Sequence, residues 1–218
     1  MAAHWEEASR RHRMLVDASI FTDMGREFKS TYPACIAFKA AELQDPELAK
    51  KYLRRLREAA AAEHRFIHKV EVQAELAEEV GFDRERFLAD IESGRAEKEF
   101  RKDLAICRDE EVSGFPSFAI RRVSDGETLR FDFYMSSIAM IEQFHRLVGD
   151  ELVARELNPT KENILAFVGK YGKVAVREVG ELFMIAFGDA REKLDALVEE
   201  GKLERQQAGN GVFYLKAS

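Results

Sequence analysis

The chain holds 218 residues, 46% of them hydrophobic and 34% charged, a globular balance with apolar material for one large core or two smaller ones. Its formal net charge of −6 gives no global attraction to a polyanion or an anionic membrane surface. No apolar run approaches the ~18 residues of a membrane helix, and the amphipathic start at Ala2-Ala3-His4-Trp5 lacks the apolar stretch of a signal peptide, so a cytoplasmic protein without membrane contact is expected.

Trp5, Ala8, His12 and Leu15 recur at helical spacing and predict a short helix over residues 4–16, followed by a long connection from 17 to 31. Ser30-Thr31-Tyr32-Pro33 opens a second helix, with a hydroxyl near the cap and proline in the first turn. Asp45-Pro46-Glu47 opens a third, whose Leu48, Tyr52, Leu53, Leu56 and Ala60 form one apolar stripe. Further helices are expected from Val70 to Gly81, from Asp83 to Ser93-Gly94, and onward with Ala96, Phe100, Leu104 and Cys107 on one side. At residue 112 the texture changes. Two β-rich runs, 117–123 and 128–133, flank Ser124-Asp125-Gly126-Glu127 and predict a hairpin, and a helix through Ile138, Ile141, Phe144 and Leu147 follows. Past Asn158-Pro159-Thr160 the tail reads as helix (161–171), short helix (176–185), helix (190–200) and two strands (202–207 and 212–216), the outline of a winged helix-turn-helix.

The run Ser30-Thr31-Tyr32-Pro33-Ala34-Cys35, Leu43-Gln44-Asp45, Tyr52 to Ala59, Ala77 to Asp83 with Phe87, and Val112-Ser113-Gly114-Phe115-Pro116-Ser117-Phe118 together resemble the DsbA-type branch of the thioredoxin-fold proteins over about residues 4–148. The resemblance implies an α+β, mostly helical protein: a partial thioredoxin-like domain over 1–155, its large helical insertion at about 32–111, and a winged-helix-like domain over 156–218. It also implies a cis peptide bond before Pro116, with Phe115, Pro116 and Ser117 facing a bound peptide. In that family a strand leads to a Cys-x-x-Cys at a helix N-terminus, where the dipole stabilises a thiolate, and a second strand precedes the helical insertion. These 218 residues begin near the insertion, as expected of a natural remnant, of a chain with its front cut away, or of one completed by another polypeptide. A hairpin alone is a marginal sheet with open edges, so a homodimer or another protein partner is expected to close it.

The chemistry follows from what is present. Cys35 and Cys107 are the only cysteines and stand 72 positions apart, so dithiol exchange, which needs a second thiol within reach, has no pair here. Cys35 shares a helix face with Phe38 and reads as a small core residue, whereas Cys107 beside Arg108 reads as half exposed. The glutathione-dependent enzymes of the same fold place their reactive serine in the absent segment. His64 and His68 are four apart, but Phe66-Ile67 between them and a helix end near Arg65 break the helix that would align them, so no metal site is expected, and no cofactor. Lys50-Lys51, Arg54-Arg55 and Arg57 read as a solvated helix face. Residues 156–218 carry nine Lys/Arg against ten Asp/Glu, and an acidic third helix disfavours DNA. The expected role is a non-catalytic binding or assembly protein. The alternatives are a disulfide oxidoreductase whose catalytic segment lies elsewhere, and a DNA-binding regulator.

Overall fold

The computed structural model describes residues 2–25, 27–112, 114–115, 117–132, 137–149 and 157–217, and the chain divides into two compact units, Met1–Phe100 with Leu157–Ser218, and Arg101–Glu156. Among the described residues no helix is long and apolar enough to cross a membrane.

The first unit opens with α1 (Ala2–His12) and the short α2 (Ile20–Asp23), which lies inside the stretch expected to be a plain connection. Four residues are too few to show a helical period, and the anchor of α2 is one buried side chain, Ile20. The helical body is α3 (Tyr32–Gln44), α4 (Pro46–Ala62), α5 (Val70–Val80), α6 (Arg84–Glu92) and the start of α7 (Arg95–Asp109). A single residue both ends α3 and begins α4. The Asp45 amide donates to Ala41 O, while its side chain accepts from the amides of Glu47 and Leu48 at 2.9 and 3.0 Å, and Pro46 occupies the first helical position without needing its missing N–H. Gly81 closes α5 at φ +109, and Asp83 caps α6 through the Arg86 amide. Buried Ala37, Ala40 and Ala41 of α3 meet Ala49 and Ala59 of α4, so the two backbones approach closely. Tyr52 fills the centre, edge-on to Phe82 and Phe87, with its hydroxyl donating to Gln73 O at 3.0 Å.

The same unit contains α9 (Lys161–Tyr171), β3 (Lys173–Val174), α10 (Val176–Phe183), α11 (Phe187–Glu199), β4 (Leu203–Ala208) and β5 (Gly211–Lys216). The three strands form an antiparallel sheet ordered β3-β5-β4, with Val174 and Arg205 flanking Tyr214. Strand β3 was not expected, because two residues carry no alternation, and α11 begins at Phe187 rather than 190. Ile164, Val168, Val179, Phe183, Leu194, Leu197 and Tyr214 make the core of this module. A smaller cluster joins it to the helical body: Leu15, Ala62, Ala175, Ala208 and Phe213 are buried together. The β4–β5 turn seals the contact. Asn210 donates its amide to Val16 O and its side-chain oxygen accepts from Val16 N, at 3.1 and 3.0 Å.

The second unit holds the rest of α7, the hairpin of β1 (Ser117–Arg121) and β2 (Thr128–Asp132), and α8 (Ser137–Val148). Ser117 lies opposite Asp132 and Arg121 opposite Thr128; among the described residues these strands pair only with each other. Glu110 binds both Arg121 and Arg130 across the hairpin, and Arg122 donates to Leu147 O of α8.

Candidate protein-binding groove

Cys35 and Cys107 are both half-buried, and neither is in a disulfide. Cys35 is less enclosed than expected of a core residue. Phe115 is exposed at 77%, and Ser117, the first residue of β1, donates its hydroxyl to Gly114 O at 2.6 Å. Pro116 lies outside the described residues. His64 and His68 fall on the non-helical link after α4, and they do not converge on a common site. His64 bridges two carboxylates, Asp17 through Nδ1 and Asp23 through Nε2, each at 3.0 Å, while His68 stands edge-on to Phe28 and Phe66. Among the described residues no group of three or more His, Cys, Asp or Glu side chains is placed to hold a metal ion.

The most developed concavity lies along α4. Lys50, Arg54 and Arg57 recur at intervals of four and three and therefore share one helix face. On one side of Arg54, α1 and the C-terminal module close a cavity of about 640 Å³, with Trp5, Leu15, Ala62 and Phe213 as apolar lining. On the other side a second cavity of about 730 Å³ runs between α4 and the α9–β3 link past Lys51, Lys170 and Gly172. Both cavities include Lys50, Arg54, Glu58 and Tyr171 in their walls, so they meet at that cluster.

The divide between them is an ion network. Arg54 donates to Glu178 Oε1 at 2.7 Å and to Lys173 O at 2.7 Å, and it lies 4.9 Å from the Tyr171 ring centre. Arg55 binds Glu63 and Glu79, each at 2.7 Å, and Lys173 binds Glu63 and Glu58. The solvated face expected for this cluster is thus only half correct: Lys50, Lys51 and Arg57 are exposed, but Arg54 and Arg55 are half-buried and tie α4 to β3, α10 and α5. Burial works against the charge of Arg54, and the Glu178 carboxylate outweighs it, holding the guanidinium above its ordinary pKa. Burial likewise raises Glu58, against the pull of Lys173 and Arg54, whereas Glu63 is held below the usual carboxylate range because Lys173 and Arg55 outweigh its burial. His12, at the edge of the first cavity, is lowered by burial and by Arg177, which favours its neutral form.

Helix spacing in the sequence points to the Lys50–Arg54–Arg57 face. The partners that turn it into a groove are Tyr171, Lys173, Glu178 and Phe213, more than a hundred positions away, and no local pattern signals them.

A helical body with small sheets fits a thioredoxin-like protein, and the two cysteines of these 218 residues do not form a Cys-x-x-Cys pair. The chain belongs to the thioredoxin family: the family described as Thioredoxin matches residues 3–137. It is also similar to curated proteins that share a single name. It is 26% identical to the ClpXP adapter protein SpxH of Bacillus subtilis over 100% of this chain and 72% of that protein. It is 26% identical to the protein of the same name from Bacillus licheniformis, over 98% and 70% of the two lengths, and 27% identical to that of Shouchella clausii, over 84% and 60%.

Proposed function

We propose that this chain is a protein-binding adapter for the ClpXP protease, acting by contact and not by dithiol–disulfide exchange. The observation that supports it most is the extent of the similarity: proteins named ClpXP adapter match the chain from the α1 region through the C-terminal module, the two parts that frame the groove. The chemistry agrees. Turnover of a substrate disulfide needs a second thiol to resolve the mixed disulfide, and the chain's two cysteines are half-buried and stand 72 positions apart in sequence.

In this reading residues 1–155 are a DsbA-type domain and residues 156–218 a winged-helix-like domain recruited for packing. A DNA reader needs a cationic third helix and a free wing. Here α11 exposes Asp189, Glu192 and Glu199 against Arg191 and Lys193, and the β4–β5 tip hydrogen-bonds Val16 and Ser9 of the same chain. Phe115, with its exposed ring at the entry to β1, is a second place for contact with a client peptide.

The test is genetic and kinetic. Protein half-lives are measured across the proteome in cells with and without this chain, each with and without ClpXP. At least one protein should live longer when the chain is removed and no longer still when ClpXP is removed as well. If removing the chain changes no ClpXP-dependent half-life, the adapter reading is wrong.

A further inference from the structure

The chain as a whole is acidic, yet its groove is not. Six Lys and Arg side chains line the two cavities, against four carboxylates, in a molecule of net charge −6. All four carboxylates are already engaged: Glu58 and Glu178 by Arg54, Glu79 by Arg55, and Glu47 by Lys50. Among the described residues no carboxylate pairs with Lys51, Arg57 or Lys170, and all three are exposed. Walls of low dielectric concentrate the field of such cations inside a cleft. The first cavity adds an apolar floor of Trp5, Leu15, Ala62 and Phe213, and its volume of about 640 Å³ lies in the usual range for ligand sites. From Lys50 to Arg57 the face of α4 runs for about 10 Å, which three extended residues would span.

We propose that this groove takes an acidic segment of a client protein that carries apolar anchor residues. Its carboxylates face Lys51, Arg57 and Lys170, and its aromatic or branched side chains enter the pocket between Trp5 and Phe213. The inference rests on the adapter reading and names the chemistry of the client. An apolar floor favours a peptide over a nucleic acid, whose phosphates need cations and whose bases need stacking platforms along a strand.

The chain supplies its own reporter, because Trp5 is the sole tryptophan and lines the pocket. The probe is a synthetic peptide, Glu-Asp-Phe-Leu-Glu-Asp-Leu-Glu, followed by Trp5 emission and, when fluorescein-labelled, by polarisation. Saturable binding with a shift in Trp5 emission is expected, weakening by about tenfold or more between low and moderate salt as the Debye length shrinks. The double variant Lys51→Glu/Arg57→Glu, at exposed positions and checked for unchanged circular dichroism, should weaken binding by at least about tenfold. A peptide with serine in place of the phenylalanine and leucines should bind more weakly by a similar factor. The proposal is overturned if the peptide does not bind, if the double variant binds it as well, or if an oligothymidylate of equal charge binds equally. It is also overturned if sedimentation shows a dimer that the same variant dissociates, since a second copy would then be the occupant. Returned to cells, the double variant separates the two readings. Normal ClpXP-dependent turnover with lost peptide binding removes the groove as the client site and leaves the adapter. Peptide binding by a chain that affects no ClpXP-dependent half-life keeps the groove and removes the adapter.

Discussion

Glu58 and Glu63 touch the same ammonium, that of Lys173, yet their environments push them in opposite directions. Glu63 is lowered below 4.5 by Lys173 and Arg55 in excess of its burial, so its ionised form binds the folded state more favourably than the unfolded one. That stability is fully present above the ordinary carboxylate value and is lost as pH falls through the lower folded value. Glu58 is raised because burial outweighs its three cations, so its contribution has the reverse sign and diminishes as pH rises through the raised value. In urea unfolding at neutral pH, Glu63→Gln should lose about 1–2 kcal/mol, because it leaves Lys173 and Arg55 short of a partner in a partly buried site. Glu58→Gln should change stability by less than about 0.5 kcal/mol, since a neutral amide removes a desolvation cost along with the attraction. Lowering the pH from 6 toward 4 should narrow the gap between Glu63→Gln and the unaltered chain. A larger loss from Glu58→Gln would reverse this assignment.

At the scale of elements, what was legible in the sequence is what local chemistry decides. Asp45-Pro46 and Asp83 mark helix starts because their side chains bond amides two or three residues on, and Gly81 marks a stop because only a residue free of a Cβ adopts φ +109 at little cost. Strand β3 was not legible, for it is two residues held by Leu215 and Tyr214, some forty positions away. The ion-paired half of α4 was also not legible, because Arg54 and Arg55 read like their solvated neighbours until Glu178 and Glu79 are in place. The docking of the β4–β5 turn on the Val16 backbone hangs on Gly209. Its φ is +50, and a Cβ there would stand 2.7 Å from the Val16 carbonyl carbon and oxygen, which are backbone and cannot swing aside. Gly209→Ala should therefore cost about 2 kcal/mol or more and expose the Val16 and Asn210 amides to hydrogen exchange while leaving α3–α6 protected. Unchanged protection at these two amides would show that the turn is not what docks the module.

At the scale of the whole molecule, the proposed function puts a thioredoxin-like family member to work by contact. Its helical body, with α1 and the C-terminal module, forms the walls of a groove, and neither of its two cysteines is in a disulfide. The thioredoxin resemblance was readable because several separated motifs keep the family's order, whereas the groove needs the fold to bring α4 against residues beyond 170. If contact alone carries the function, sulfur is dispensable. The direct measurement is the half-life of a ClpXP-dependent client in cells whose only copy of this chain carries Cys35→Ala and Cys107→Ala. The client should be degraded at the rate seen with the unaltered chain; a half-life lengthened to that of cells lacking the chain would mean that a thiol does the work.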